Sequence, residues 1–62
     1  MLEVIIDRWS KAGRTDYLWS VWDDGRRIHQ GEAHRDESEA REAAVRFCRA
    51  ELDREPDSIT RL

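Results

Sequence analysis

Three tryptophans, one cysteine and two histidines are the residues whose chemistry stands out in this 62-residue chain. Trp9, Trp19 and Trp22 are dense for so short a sequence. Tryptophan beside arginine suits base stacking or the anchoring of a protein interface. His29 and His34, with Cys48 further along, lack the spacing of a structural zinc set. Cys48 as a nucleophile would need a neighbouring base and an electropositive niche. On a helical strip with Val45 and Leu52 it reads instead as a small buried hydrophobe. Ser10, Ser20, Ser38 and Ser58 sit in no nucleophile motif, and no glycine-rich phosphate loop occurs. A chain of this length leaves little room for a pocket. The expectation is a non-catalytic protein that needs no cofactor and no metal.

The charges narrow the class further. Fourteen acidic side chains stand against eleven basic ones, for a net charge of −3. A strongly basic nucleic-acid coat protein is excluded. Every basic residue except Lys11 is arginine, a bias better explained by a GC-rich coding sequence than by a phosphate- or carboxylate-binding role. Arg8, Lys11, Arg14, Arg26, Arg27 and Arg35 give residues 8–35 a local charge of +2 before histidine, which solvated hairpin tips account for. No apolar run approaches the ~20 residues of a membrane helix. The start Met1-Leu-Glu-Val-Ile-Ile lacks the basic region and cleavage site of a signal peptide. A lone cysteine allows no internal disulfide and fits the cytoplasm. A domain this small buries only about 60% of the surface its unfolded chain exposes. Its core supplies only ~3–5 kcal/mol unless something staples it. Self-association is the staple expected here.

The elements that would position these residues follow from periodicity. Residues 2–9 alternate Leu2, Val4 and Ile6 against Ile5, Asp7 and Trp9, which predicts a strand. Ser10 to Asp16, polar around Gly13, reads as a loop. Two β-favouring runs flank Asp24-Gly25, a strong hairpin signal, giving strands at about 17–23 and 26–31. A two-residue turn sets Val21 against Ile28, Trp19 against Gln30 and Trp22 against Arg27. Tyr17, Trp19, Val21 and Ile28 then form the core face. A bulged turn would instead move Ile28 to the face of Leu18 and Trp22.

Glu32 to Arg35 is a connector. Asp36 caps a helix over 37–54, with Glu39 placed to complete a capping box and Glu55-Pro56 ending it. Glu37–Arg41 and Glu42–Arg46 are spaced for ion pairs along it. Ala40, Ala43, Ala44, Phe47 and Ala50 share one face. Val45, Cys48 and Leu52 make a second apolar strip beside it. The tail, 57–62, reads as a short fourth strand, at the sheet edge or across a dimer. The whole is one small α+β domain over 1–62: a three- to four-stranded antiparallel sheet, order β-β-β-α-β, with one helix on one face.

Two surfaces remain without cover. One is the second sheet face, with Trp9, Leu18, Trp22 and Arg27; the other is the strip Val45, Cys48 and Leu52. Either suits a protein partner, and a second copy of the chain is the first choice. The Trp and Arg residues of the sheet face make nucleic-acid binding the alternative, less favoured at this net charge. No membrane partner is expected.

The strand–strand–strand–helix–strand order resembles a known group. It has Trp19-x-Val21-x-Asp-Asp-Gly25 in the hairpin, Gly31 closing it and Asp36-x-x-Glu39-Ala40 opening the helix. It is similar to the partial-RNase-H-like modules of HicB-type antitoxins and related short bacterial proteins of unknown function. The Pro-Asp…Gly segment typical of HicB sheets does not occur, and no functional residue carries over. The resemblance implies a small α+β partner protein. An inhibitor of a host complex, of phage or toxin-system type, is a further form this would take.

Overall fold

A computed structural model describes residues 1–62. Four strands and one helix follow in the order β1 (Leu2–Lys11), β2 (Arg14–Asp23), β3 (Arg26–Gln30), α1 (Glu37–Leu52) and β4 (Ser58–Arg61). The strands form one sheet in the order β3-β2-β1-β4. The α+β class and element order are those expected from the sequence. The sheet is mixed: β1–β2 and β2–β3 pair antiparallel, whereas β4 runs parallel to β1. After β3 the chain must cross the sheet to reach its far edge, and α1 makes that crossing. Such a crossover delivers the last strand parallel to β1.

The expected loop over Ser10–Asp16 is in fact strand and turn. β1 and β2 are ten residues each and pair along their full length, from Leu2↔Asp23 to Lys11↔Arg14. Ala12 and Gly13 make the turn with φ of 54° and 76°. Both values are left-handed, as a type I′ turn requires. Alanine is an unusual choice for this conformation, so the turn does not advertise itself in the sequence. Ser10 and Thr15 hydroxyls meet across the ribbon at 3.2 Å.

The second hairpin turns at Asp24 and Gly25, φ 51° and 82°, as expected. Trp22 pairs with Arg27, but Val21 faces His29 rather than Ile28. A bulge opposite Val21 and Trp22 inserts Ile28 as an extra residue. Ile28 is therefore exposed, and its expected place in the core is taken by His29. The imidazole stacks on the Phe47 ring, centroids 3.9 Å apart and 17° between planes. Trp19 lies against both, 5.3 Å from His29 and 5.8 Å from Phe47.

The core is the space between one sheet face and α1. Leu2, Val4, Ile6, Trp19 and Val21 from the sheet meet Ala40, Ala44 and Cys48 from the helix. The buried helix seam is thus 40-44-48, one residue every four. Ala43, Phe47 and Leu52 flank it, packed against the core, and Ala50 is exposed. Cys48 belongs to this seam and not to a separate surface strip. Small residues there let the helix axis approach the sheet closely. Gly31 serves the same purpose at the end of β3. A Cβ built on it would fall inside the van der Waals envelope of Trp19 Cε2.

Asp36 caps the helix as its sequence proposes, but Ser38 and not the Glu39 side chain bonds to it. The helix ends at Leu52, two residues short of the expected 54 and ahead of Glu55-Pro56. Asp36 takes extended φ and ψ, and its carboxylate accepts from the Ser38 N–H and hydroxyl, each at 2.8 Å. Asp53 turns left-handed and closes the helix, while the Arg54 N–H donates to the Cys48 carbonyl at 3.2 Å. Arg49 then grips Glu55 with two guanidinium bonds, 2.5 and 3.0 Å. Of the two expected intrahelical pairs, Glu42–Arg46 forms at 3.9 Å, whereas Glu37 pairs with Arg61 of β4 at 3.3 Å.

These contacts generate two expectations. Gly31→Ala forces the Trp19 indole from its seat and should cost about 1–3 kcal/mol by overpacking, read from urea unfolding. The Ser38 bonds hold the Asp36 carboxyl below its usual range, and Arg49 does the same for Glu55. Groups lowered in the folded state stabilise fully above ordinary carboxylate values, ~4. That contribution disappears as pH falls through their lowered folded values. Melting temperature should therefore drop below about pH 4. Asp36→Asn, which caps without titrating, should flatten that drop; an unchanged acid slope would contradict the assignment.

Candidate protein interface

Directly paired residues share a sheet face, so the register alone defines what lies opposite the helix. Glu3, Ile5, Asp7 and Trp9 of β1 pair with Trp22, Ser20, Leu18 and Asp16 of β2. No element covers this face. Trp9 is 63% exposed; Ile5, Leu18 and Trp22 are half-buried. Trp22 lies along its own strand, with its indole Nε1 donating to Ser20 Oγ at 2.9 Å. The Ser20 hydroxyl donates in turn to the Ile5 carbonyl at 3.5 Å. The indole thus roofs Ser20, which explains how a serine comes to be buried on an uncovered face.

Towards the tip of the first hairpin the face becomes an open groove of about 520 Å³. Trp9, Leu18, Ala12 and Ala33 supply its apolar walls, with Lys11, Arg14 and Asp16 beside them. Asp16 draws in two guanidinium groups, Arg14 at 3.4 Å and Arg35 at 3.8 Å. The face as a whole also holds Glu3 and Asp7, so its charge is mixed and not uniformly positive. Behind the groove, His34 bonds Tyr17 through both backbone groups, at 2.7 and 2.8 Å. Its Nε2 is buried, and Glu32 Oε1 lies 3.5 Å away without hydrogen-bond geometry.

The residues singled out from the sequence fall in different places. Trp9, Leu18 and Trp22 share the open face, and Arg27 adjoins Trp22 across β2–β3. The Arg27 guanidinium reaches the Gln30 side chain, Oε1 at 3.4 Å. Val45 sits on the outer helix surface among Arg41, Glu42, Arg46 and Arg49. Cys48 is fully buried, and Leu52 packs against the core. The helix therefore presents no continuous apolar strip. Lys11, Ala12, Arg14 and Ala33 join the site only because the first hairpin is long. The signal for that was the match of Ser10 and Thr15 on either side of Ala12-Gly13.

No three His, Cys, Asp or Glu side chains gather as a metal site. Burial pushes the Cys48 thiol up, with the Glu55 charge adding to the shift and Arg54 opposing it. No helix is long and apolar enough to cross a membrane. The chain has no significant match to any protein-family model, curated protein or solved structure.

The buried thiol offers a direct check on helix packing. A thiol reagent at neutral pH should modify Cys48 at least ~100-fold more slowly in the folded protein than in urea, since reaction needs opening of the core. Modification at comparable rates in both states would contradict the packing.

Proposed function

We propose that the chain is a non-catalytic protein-interaction module of the cytoplasm, that it works as a homodimer, and that its open sheet face forms the contact surface. The observation that carries this reading is Trp9, 63% exposed in a groove shared with Leu18. Tryptophan in such a setting is the favoured anchor of protein interfaces. A chain this small also gains most from a partner that extends its core. Glu3, Asp7 and Asp16 on the same face would repel a phosphate backbone. That weighs towards a protein partner. The HicB-like order of elements fits as well, because antitoxins act by binding a partner protein.

One observation favours a second reading. Lys11 and Arg14 stand beside Trp9 in the groove, as they would in a site that stacks single-stranded bases. Its mark is salt-sensitive binding to RNA or DNA that Trp9→Ala or Trp22→Ala weakens.

The two readings separate in a dilution series followed by light scattering and acrylamide quenching of tryptophan fluorescence. The homodimer shows twice the 7.4 kDa chain mass and quenching that rises on dilution as Trp9 becomes free. Trp9→Phe removes that rise. A monomer mass with concentration-independent quenching overturns the homodimer, and salt-sensitive binding of a labelled oligonucleotide would then favour the second reading.

A further inference from the structure

The backbone bonds of β1 reveal an edge left open next to Trp9. Leu2 exchanges bonds with Asp57 on the β4 side: its N–H donates to the Asp57 carboxylate and its carbonyl accepts the Asp57 N–H, both at 2.7 Å. The Ile6 carbonyl accepts the Leu62 N–H at 2.9 Å on the same side. Even-numbered residues of β1 therefore direct their backbone groups away from β2. β4 pairs only with Glu3–Ile6. Beyond it, Arg8 and Ser10 hold their N–H and C=O groups towards solvent, a template for another strand.

The side chains on that edge are complementary to themselves. Asp7, Trp9 and Lys11 alternate on the open face. Neither Asp7 nor Lys11 has an ion-pair partner within the chain. Four residues apart on one strand, they stand about 13 Å from each other and cannot pair together. An antiparallel second copy of β1 resolves this in one register. With the two-fold axis at Trp9, Arg8 bonds Ser10 of the other copy and Trp9 meets its own counterpart. Asp7 then faces Lys11 of the other copy, twice by symmetry. In this arrangement Leu62, which follows β4 and is held there by one backbone bond to Ile6, is turned off the edge. The tryptophans fall at a non-hydrogen-bonded position, where opposed side chains are closest.

We infer that two copies join through this edge, β1 against β1 about Trp9, fusing their sheets into one. The inference rests on the homodimer reading above and moves its contact from the whole open face to the β1 edge and the Trp9 end of that face. In the joined form the Trp9 rings cover each other at the centre of the continuous face.

Charge exchange tests the register. Asp7→Lys opposes two lysines twice over, and Lys11→Asp opposes two aspartates. Each should weaken the dimer about tenfold or more at low salt, while the double exchange restores it to within roughly threefold of the parent. Both positions lie on the uncovered face, Asp7 half-buried and Lys11 exposed, and circular dichroism checks that the fold is kept. In a Cys48→Ala background, Trp9→Cys on the axis should crosslink on oxidation, since opposed Cα atoms there lie at disulfide range. Lys11→Cys, off the axis, should not. A dimer that ignores the charge exchanges, or lacks the Trp9→Cys crosslink, overturns the edge register while the homodimer stands on another surface. A monomer mass at ~1 mM, above the usual range of specific association, overturns both.

Discussion

The close seating of the Trp19 indole on the backbone at Gly31 is the constraint to which the rest of the fold conforms. Trp19 fills the end of the core between the sheet and α1, with 4% of its surface exposed. Its carbonyl accepts the Gly31 N–H at 2.8 Å and the Gln30 side chain at 3.1 Å. The ring thus packs on a chain that is bonded to its own backbone. Only a residue without Cβ permits that approach. With the ring so placed, the bulge at Ile28 becomes useful. It rotates His29 inward to complete an aromatic layer with Phe47, at the cost of leaving an isoleucine outside. The indole N–H finds no acceptor in this packing; shape has been satisfied ahead of that polar group.

Most of the architecture was legible in the sequence, for reasons that are local. Asp24-Gly25, the β1 alternation, the Asp36 cap and the glycine- and proline-free helix each specify their element without reference to anything distant. The misplaced features depend on contacts that cross the fold. Ile28 looks like a core residue on propensity and periodicity, and only the aromatic layer around Trp19 gives His29 the better claim. Cys48 looks like part of a side strip when the helix is drawn as an ideal wheel. The sheet selects 40-44-48 as the seam because alanine and cysteine let it come near. The first hairpin was obscured by an alanine at a left-handed turn position, a choice that its long, fully paired strands tolerate.

The candidate site was legible in kind and not in extent. Trp9, Leu18 and Trp22 follow from strand alternation, and they do share a face. Trp22 proves the least available of the three, because its indole folds back on Ser20. The groove beside Trp9 cannot be read at all without the hairpin turn, since Lys11, Ala12 and Arg14 look like loop residues in the sequence. The helix strip failed as a surface for a physical reason: Cys48 and Leu52 turn to the core, which leaves Val45 alone among charged residues on the outer surface. Of the exposed large hydrophobic side chains, Trp9 is the one that lines the groove on the uncovered sheet face, whereas Met1, Ile28 and Leu62 are exposed outside it.

The parallel strand β4 bears on how the chain folds. The two left-handed turns close hairpins between near neighbours in sequence, events of about 1–10 μs. Pairing β4 with β1 joins Glu3 to Ser58 and Ile6 to Arg61, nearly the whole length of the chain. Loop closure over such a span costs more entropy and is slower than either hairpin. Synthesis from the N-terminus adds a further delay, because β1 precedes the other strands and β4, its second sheet neighbour, comes last. The three-stranded meander therefore has to persist on its own until the helix and β4 arrive, and the long, continuous β1–β2 ladder is the part of the molecule that lets it wait.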